Sequence, residues 1–197
     1  MFRYLFALVV CAGLITGCGQ GATVDVPENG VIKLSDQFTG DFELIDMNGE
    51  PYSSVDAKGR FGVVYFGFAT CPDVCPLALG TLSAALNELN ADEREKLRSL
   101  FITVDPERDT PEVMKVYLSS FHEDIIGLTG TVESVNKATE SFKVYAAKAP
   151  LEGSALEYSM DHTSLFYVVD GNGTPKFALR DTLSPAQLAA ALRKNLR

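Results

Sequence analysis

An α/β sandwich around a mixed central sheet is the fold class this sequence predicts, and three observations predict it. Short unbroken apolar runs, rich in Val and aromatic residues, alternate with stretches of helical spacing. That alternation is the mark of parallel strands joined by right-handed crossover helices. The last apolar run passes through Gly171-Asn172-Gly173 into one more strand, so the sheet closes on a hairpin and is mixed. The composition, 46% hydrophobic and 22% charged over 197 residues, supplies enough apolar material for one core.

The N-terminus stands outside that core. Arg3 precedes an unbroken apolar run, Tyr4 to Ile15. About twelve residues suit a signal-peptide core, whereas a membrane-spanning helix needs roughly 20. The run ends in Ile15-Thr16-Gly17-Cys18, which resembles a bacterial lipobox. The resemblance implies that residues 1–17 are a lipoprotein signal peptide and that Cys18 is acylated. Several acyl chains on one residue anchor firmly where a single chain does not. The polar stretch that follows, with Gly and Pro and no periodicity, reads as a tether over residues 18–35. The folded domain is then 36–197.

Within the domain each element has a local reason. Asp41 to Ser53 reads as an N-terminal β-hairpin, with Phe42 and Leu44 alternating with polar residues and Asn48-Gly49 at the turn. Gly62 to Ala69 is a buried central strand. Pro76 is expected to open a helix whose apolar face is Leu79, Leu82, Leu86 and Leu89. Leu97 to Asp105 is a second buried strand, and Asp109 to Phe121 a helix with Thr110 as N-cap and Val113, Tyr117 and Phe121 on one face. Thr131 to Phe142 is a third helix. Ser164 to Asp170 is a third buried strand, paired with Pro175 to Arg180 across the Gly-Asn-Gly turn. Ser184 and Gln187 form a capping box for a last helix ending at Leu196. This order fits a thioredoxin-like three-layer sandwich.

The net charge of −9 argues against a nucleic-acid partner, since a phosphate backbone needs a basic face. The chemistry centres on Cys71-Pro72-Asp73-Val74-Cys75-Pro76. Cys11 leaves with the signal peptide and Cys18 takes lipid, so Cys71 and Cys75 are the two thiols of the mature domain. They lie past the C-terminal end of a buried strand, where open α/β sheets place their sites. Next to a helix N-terminus they favour thiolate, which is both nucleophile and metal ligand. The spacing alone is compatible with redox chemistry, metal binding or a short staple.

Two thiolates on one ion make a soft site that selects Cu(I), zinc or an iron–sulfur cluster. Structural zinc and iron–sulfur clusters want four ligands, commonly cysteines. Only two histidines, His122 and His162, accompany the two thiols. Copper accepts low coordination, so two sulfurs and one imidazole suffice. His162 precedes the third buried strand, beside the helix start in a fold of this class, and is the expected third ligand. His122 follows the second helix and is expected to be a surface or helix-end residue. Met160, two residues from His162, carries a thioether, which is a soft donor, but is expected to pack in the core or at its rim. Asp73 is expected to cap the helix, and Asp161 to neighbour His162.

The motifs FGFATCPDVCP, TVDPERDTPEVMKVYLSSF, IIGLTGT and MDHTSLFYVVDGNG resemble the Sco/SenC family over about residues 38–197. The resemblance implies a thioredoxin-like fold and one copper ion, Cu(I) or Cu(II), held by Cys71, Cys75 and His162. It implies delivery of that ion to the binuclear copper site of cytochrome c oxidase. Its partners would be the copper-bearing oxidase subunit, another copper chaperone and a thiol reductant. The alternative activity is a thiol–disulfide oxidoreductase using Cys71 and Cys75 to reduce the target's cysteines. With lipid on Cys18, the expected location is the periplasmic or other extracytoplasmic face of a membrane. The Asp105 to Pro111 segment is expected to end a strand and start a helix.

Overall fold

The structure, a computed structural model, describes residues 30–196. The signal peptide, Cys18 and the first part of the tether lie outside the described residues.

The chain forms β1 (Val31–Lys33), β2 (Glu43–Asp46), β3 (Pro51–Ser53), β4 (Phe61–Gly67), α1 (Val74–Glu88), α2 (Ala91–Glu95) and β5 (Leu97–Thr103). There follow α3 (Pro111–Leu118), β6 (Ile125–Thr129), α4 (Val132–Ser141), β7 (Ala146–Pro150) and β8 (Tyr158–His162). β9 (Leu165–Val169), β10 (Pro175–Arg180) and α5 (Pro185–Asn195) complete it. Eight strands make one sheet in the order β1-β10-β9-β4-β5-β6-β2-β3, and β7 and β8 pair apart from it. β4, β5 and β6 run parallel, and β9 is antiparallel to β4. The sheet is mixed, as expected.

Alternation along β4 feeds two apolar layers, one on each face. Tyr65 stacks against Phe101 and tilts onto Phe166, with Tyr117 of α3 beyond Phe101. Phe66, on the opposite face, packs edge-on to Phe142 at the end of α4 and to Tyr167. The leucine stripe of α1 is buried as its spacing requires, and α1 packs on α5. The cap at Thr110 and the Ser184–Gln187 capping box form as expected.

Several expectations change. α1 begins at Val74, two residues before Pro76, so Cys75 lies inside the first turn. The buried face of α3 is Met114 and Leu118, while Val113 is exposed. Residues 31–33, assigned to the tether, form the edge strand β1 against β10. The short helix α2 and three further strands, β6, β7 and β8, were not anticipated either. In β6, Gly127 interrupts the apolar run because a Cβ there would stand 2.5 Å from Leu118. β7 and β8 lack an apolar alternation altogether, for a reason that concerns the site.

Candidate metal centre

β4 delivers the chain to the site through its most buried stretch. At its end, Gly67 leaves space that another residue would close: a Cβ there would lie 2.8 Å from both the Cys75 sulfur and the Phe101 ring. Phe68 is buried, and its carbonyl accepts the Cys71 N–H to turn the chain. The Ala69 N–H donates to Asp109 Oδ2 at 3.0 Å, which ties the loop to the start of α3.

Cys71 and Cys75 are free thiols. Cys75 is fully buried and Cys71 partly exposed. The Cys71 sulfur accepts the Cys75 N–H at 3.4 Å, while Asp73, at the N-cap position, makes no side-chain cap. Sulfur thus fills the role expected of the Asp73 carboxylate, and the helix start stabilises negative charge on it.

The thiols share one proton unequally. The hydrogen bond from Cys75 is the main influence drawing the Cys71 pKa far down, with His162 assisting and burial opposing. The same bond, followed by burial, drives the Cys75 pKa up. Negative charge is therefore favoured on Cys71 and the proton on Cys75.

His162, the last residue of β8, places Nε2 at 3.7 Å from the Cys75 sulfur. Its Nδ1 lies 3.0 Å from the Thr163 carbonyl. A carbonyl only accepts, so Nδ1 carries a proton there; in the neutral ring Nε2 then keeps its lone pair, on the side of the sulfurs. Phe68 and Tyr65 hold the ring edge-on at 5.8 and 6.4 Å. Tyr65 bonds Ser164 at 2.7 Å, and Ser164 donates to Asp181 at 2.6 Å, which fixes the turn after His162.

The far end of β8 is clasped by the charged segment after β5. Buried Asp105 accepts the Tyr158 hydroxyl at 2.9 Å and pairs with Arg108. Arg108 donates to the Tyr158 carbonyl at 2.9 Å and lies 3.9 Å over the Tyr158 ring. Lys148 of β7 pairs with Glu107. The segment does begin a helix, as expected. It also holds both halves of the site, through Asp109 on the cysteine loop and Asp105 and Arg108 on the hairpin. The sequence signal was the density of charge in Asp105-Pro106-Glu107-Arg108-Asp109.

An open cavity of about 470 Å³ lies over these groups, lined by Phe68, Cys71, Asp73, Tyr145, Met160 and His162 among others. Asp161 is exposed on β8. His122 accepts the Asp124 N–H through Nδ1 and is not among the cavity residues. Among the described residues no three His, Cys, Asp or Glu side chains already stand as a metal cage. The donors nonetheless suit a soft ion: two sulfurs and an imidazole with its lone pair directed inward.

The SCO1/SenC family model matches residues 32–197. A SCO2-like protein of Rickettsia felis is 44% identical over 134 residues, which is 68% of this chain and 65% of that protein. The match thus spans just under two thirds of that relative. Bradyrhizobium japonicum ScoI, solved with copper bound, is 38% identical with a TM-score of 0.73, over 80% of this chain and 99% of that one. Yeast Sco1, also solved with copper bound, is 37% identical with a TM-score of 0.74, over 81% and 88% of the two chains. With its fold and its family model in agreement across nearly all the described residues, this chain belongs to the SCO1/SenC family.

Proposed function

We propose that the protein is a copper metallochaperone that carries one ion on Cys71, Cys75 and His162. The observation that carries this reading is the convergence of a Cys71 thiolate, the Cys75 sulfur and the His162 lone pair beneath an open cavity. A site with few ligands suits transfer, because an acceptor's ligands attach before the old ones leave. The Sco family is described as one of cytochrome c oxidase assembly proteins, which supports the copper-bearing oxidase subunit as recipient. Lipid on Cys18 would hold the protein at the extracytoplasmic face. The apolar run before Ile15-Thr16-Gly17-Cys18 supports this, and no helix among the described residues is long and apolar enough to cross a membrane.

Anaerobic titration of the reduced protein with Cu(I) against a competing chelator tests the reading. One tightly held ion per chain is expected, lost in Cys71→Ala and in Cys75→Ala. Unchanged affinity in either variant would sink it.

The lowered Cys71 pKa favours a second reading, thiol–disulfide exchange on the target. Cys71 would attack a target disulfide, and Cys75 would resolve the mixed disulfide. Two electrons and two protons pass to the target as the Cys71–Cys75 disulfide forms. His162→Ala separates the readings: oxidase assembly that survives it, but not Cys71→Ala, favours exchange over delivery.

A further inference from the structure

We propose that Met160 provides an exchangeable thioether ligand to the carried ion, a soft donor poised beside the Cys71–Cys75–His162 set on the route between that set and solvent. The inference rests on the copper reading above and deepens it.

The placement comes from β8. Side chains alternate across a strand, so Met160 and His162 share a face, separated by two residue rises, about 6.6 Å. Both line the cavity that also exposes Cys71. Met160 is partly buried and packs against the core. Its three rotatable bonds leave the sulfur free to swing. That combination gives a fixed root and a mobile donor within reach of an ion held at His162 Nε2.

The chemistry selects this residue. Cu(I) prefers thiolate and thioether ligands, whereas carboxylates and water suit harder ions. The other cavity side chains able to donate to a metal, Asp73, Asp161, Ser159, Ser164 and Tyr145, offer oxygen. Cys75 sits below the cavity rather than on its wall. Two sulfurs and one imidazole leave Cu(I) open toward the cavity, and Met160 is the soft donor on that side. Of the other methionines in the described residues, Met114 is fully buried under α3 and Met47 follows β2, and neither lines the cavity. Thioether ligation is weak and reversible, which suits a group that meets an ion entering or leaving while the thiolates hold it.

Selenium makes this directly observable. The mature protein is prepared with selenomethionine, reduced, loaded with Cu(I) without oxygen, and examined by X-ray absorption at the selenium and copper edges. A copper–selenium contact is expected in the parent protein and should vanish in Met160→Leu. That change conserves volume and leaves the core intact. The variant should still bind one ion, with affinity lowered by roughly 10-fold or less, the lower range for losing a supporting group at a metal site. Release to a chromophoric chelator should change in rate by more than the affinity does. A loaded site that depends on Cys71 and His162 but shows no copper–selenium contact overturns the Met160 proposal and leaves the copper reading standing. A copper–selenium contact that persists in Met160→Leu also overturns it. Copper binding indifferent to Cys71→Ala overturns both.

Discussion

The two halves of the site are built in opposite ways. Six of the seven residues of β4 are buried, so the strand leading to Cys71 and Cys75 is fixed by the core itself. No residue of β7 or β8 is buried to that degree, so the hairpin carrying His162 relies on side-chain clasps. Its anchors are Asp105 and Arg108 at Tyr158, Lys148 at Glu107, and the Tyr65–Ser164–Asp181 chain at the turn. The contrast teaches how the proposed transfer site would combine grip with access. The half that sets the thiols is held by apolar packing, which tolerates little movement. The half that sets the imidazole is held by a few polar contacts, which break one at a time.

The largest test of this contrast removes a proposed ligand from the packed half. Cys75→Ala should lower copper affinity by more than the roughly 100-fold upper range for losing a supporting group. Chelator competition measures it, and thermal unfolding checks that the fold is kept. A variant that retains affinity would break the comparison, since the core-held half would then contribute no grip.

His162→Ala removes the proposed ligand of the clasped half. Affinity should fall by at least about 10-fold, the lower range for losing even a supporting group, and by less than for either cysteine. Iodoacetamide at neutral pH should still modify Cys71 before Cys75, because the main cause of the low Cys71 pKa is its bond with Cys75 and His162 ranks behind it. Equal reaction of both thiols would show that the imbalance comes from elsewhere.

Tyr158→Phe loosens the hairpin without touching a ligand. It takes away the hydroxyl that serves buried Asp105, at a cost of about 1–3 kcal/mol for the polar group left unpaired. Denaturant unfolding should register that cost, and copper affinity should fall by less than in His162→Ala. Hydrogen exchange at Ala146 and His162, which pair across the hairpin, should quicken while exchange in β4 stays slow.

Asp109→Asn gives the smallest effect, visible in pH dependence. Burial is the main cause raising the Asp109 pKa, against the bonds from Thr103 and Ala69. A carboxyl raised on folding stabilises the fold below its unfolded value, 3.8, and loses that contribution as pH rises through the folded value. The amide has no such loss. Urea midpoints of the variant relative to the parent should therefore rise from acid toward neutral pH. A pH-independent difference would show that Asp109 acts only through its hydrogen bonds.

The ease of reading each half from the sequence follows the same division. Gly62 to Ala69 and the leucine stripe of α1 are apolar because the core holds them, and apolar periodicity is the signal a sequence displays best. β7 and β8 display none, since most of their residues face solvent or clasps and only Ala146 and Met160 pack against the core. The shift of the α1 start came from Cys71, whose sulfur meets a helix N–H in place of the Asp73 carboxylate. Cap rules based on oxygen do not anticipate a sulfur in that position.

The sequence by itself determined the class of sheet, the two parallel strands β4 and β5 with the helices that follow them, the thiol pair and the candidate imidazole. Each of these is written in local spacing or in the scarcity of soft donors. Only the tertiary structure decided that Asp105, Arg108 and Asp109 hold the two halves together. Only there does Gly67 make room for the Cys75 sulfur, and only there does Met160 share a cavity with His162. The clasps join residues far apart in the chain, and the cavity joins β8 to the cysteine loop. They depend on where the sheet brings the segments, and no local pattern encodes that.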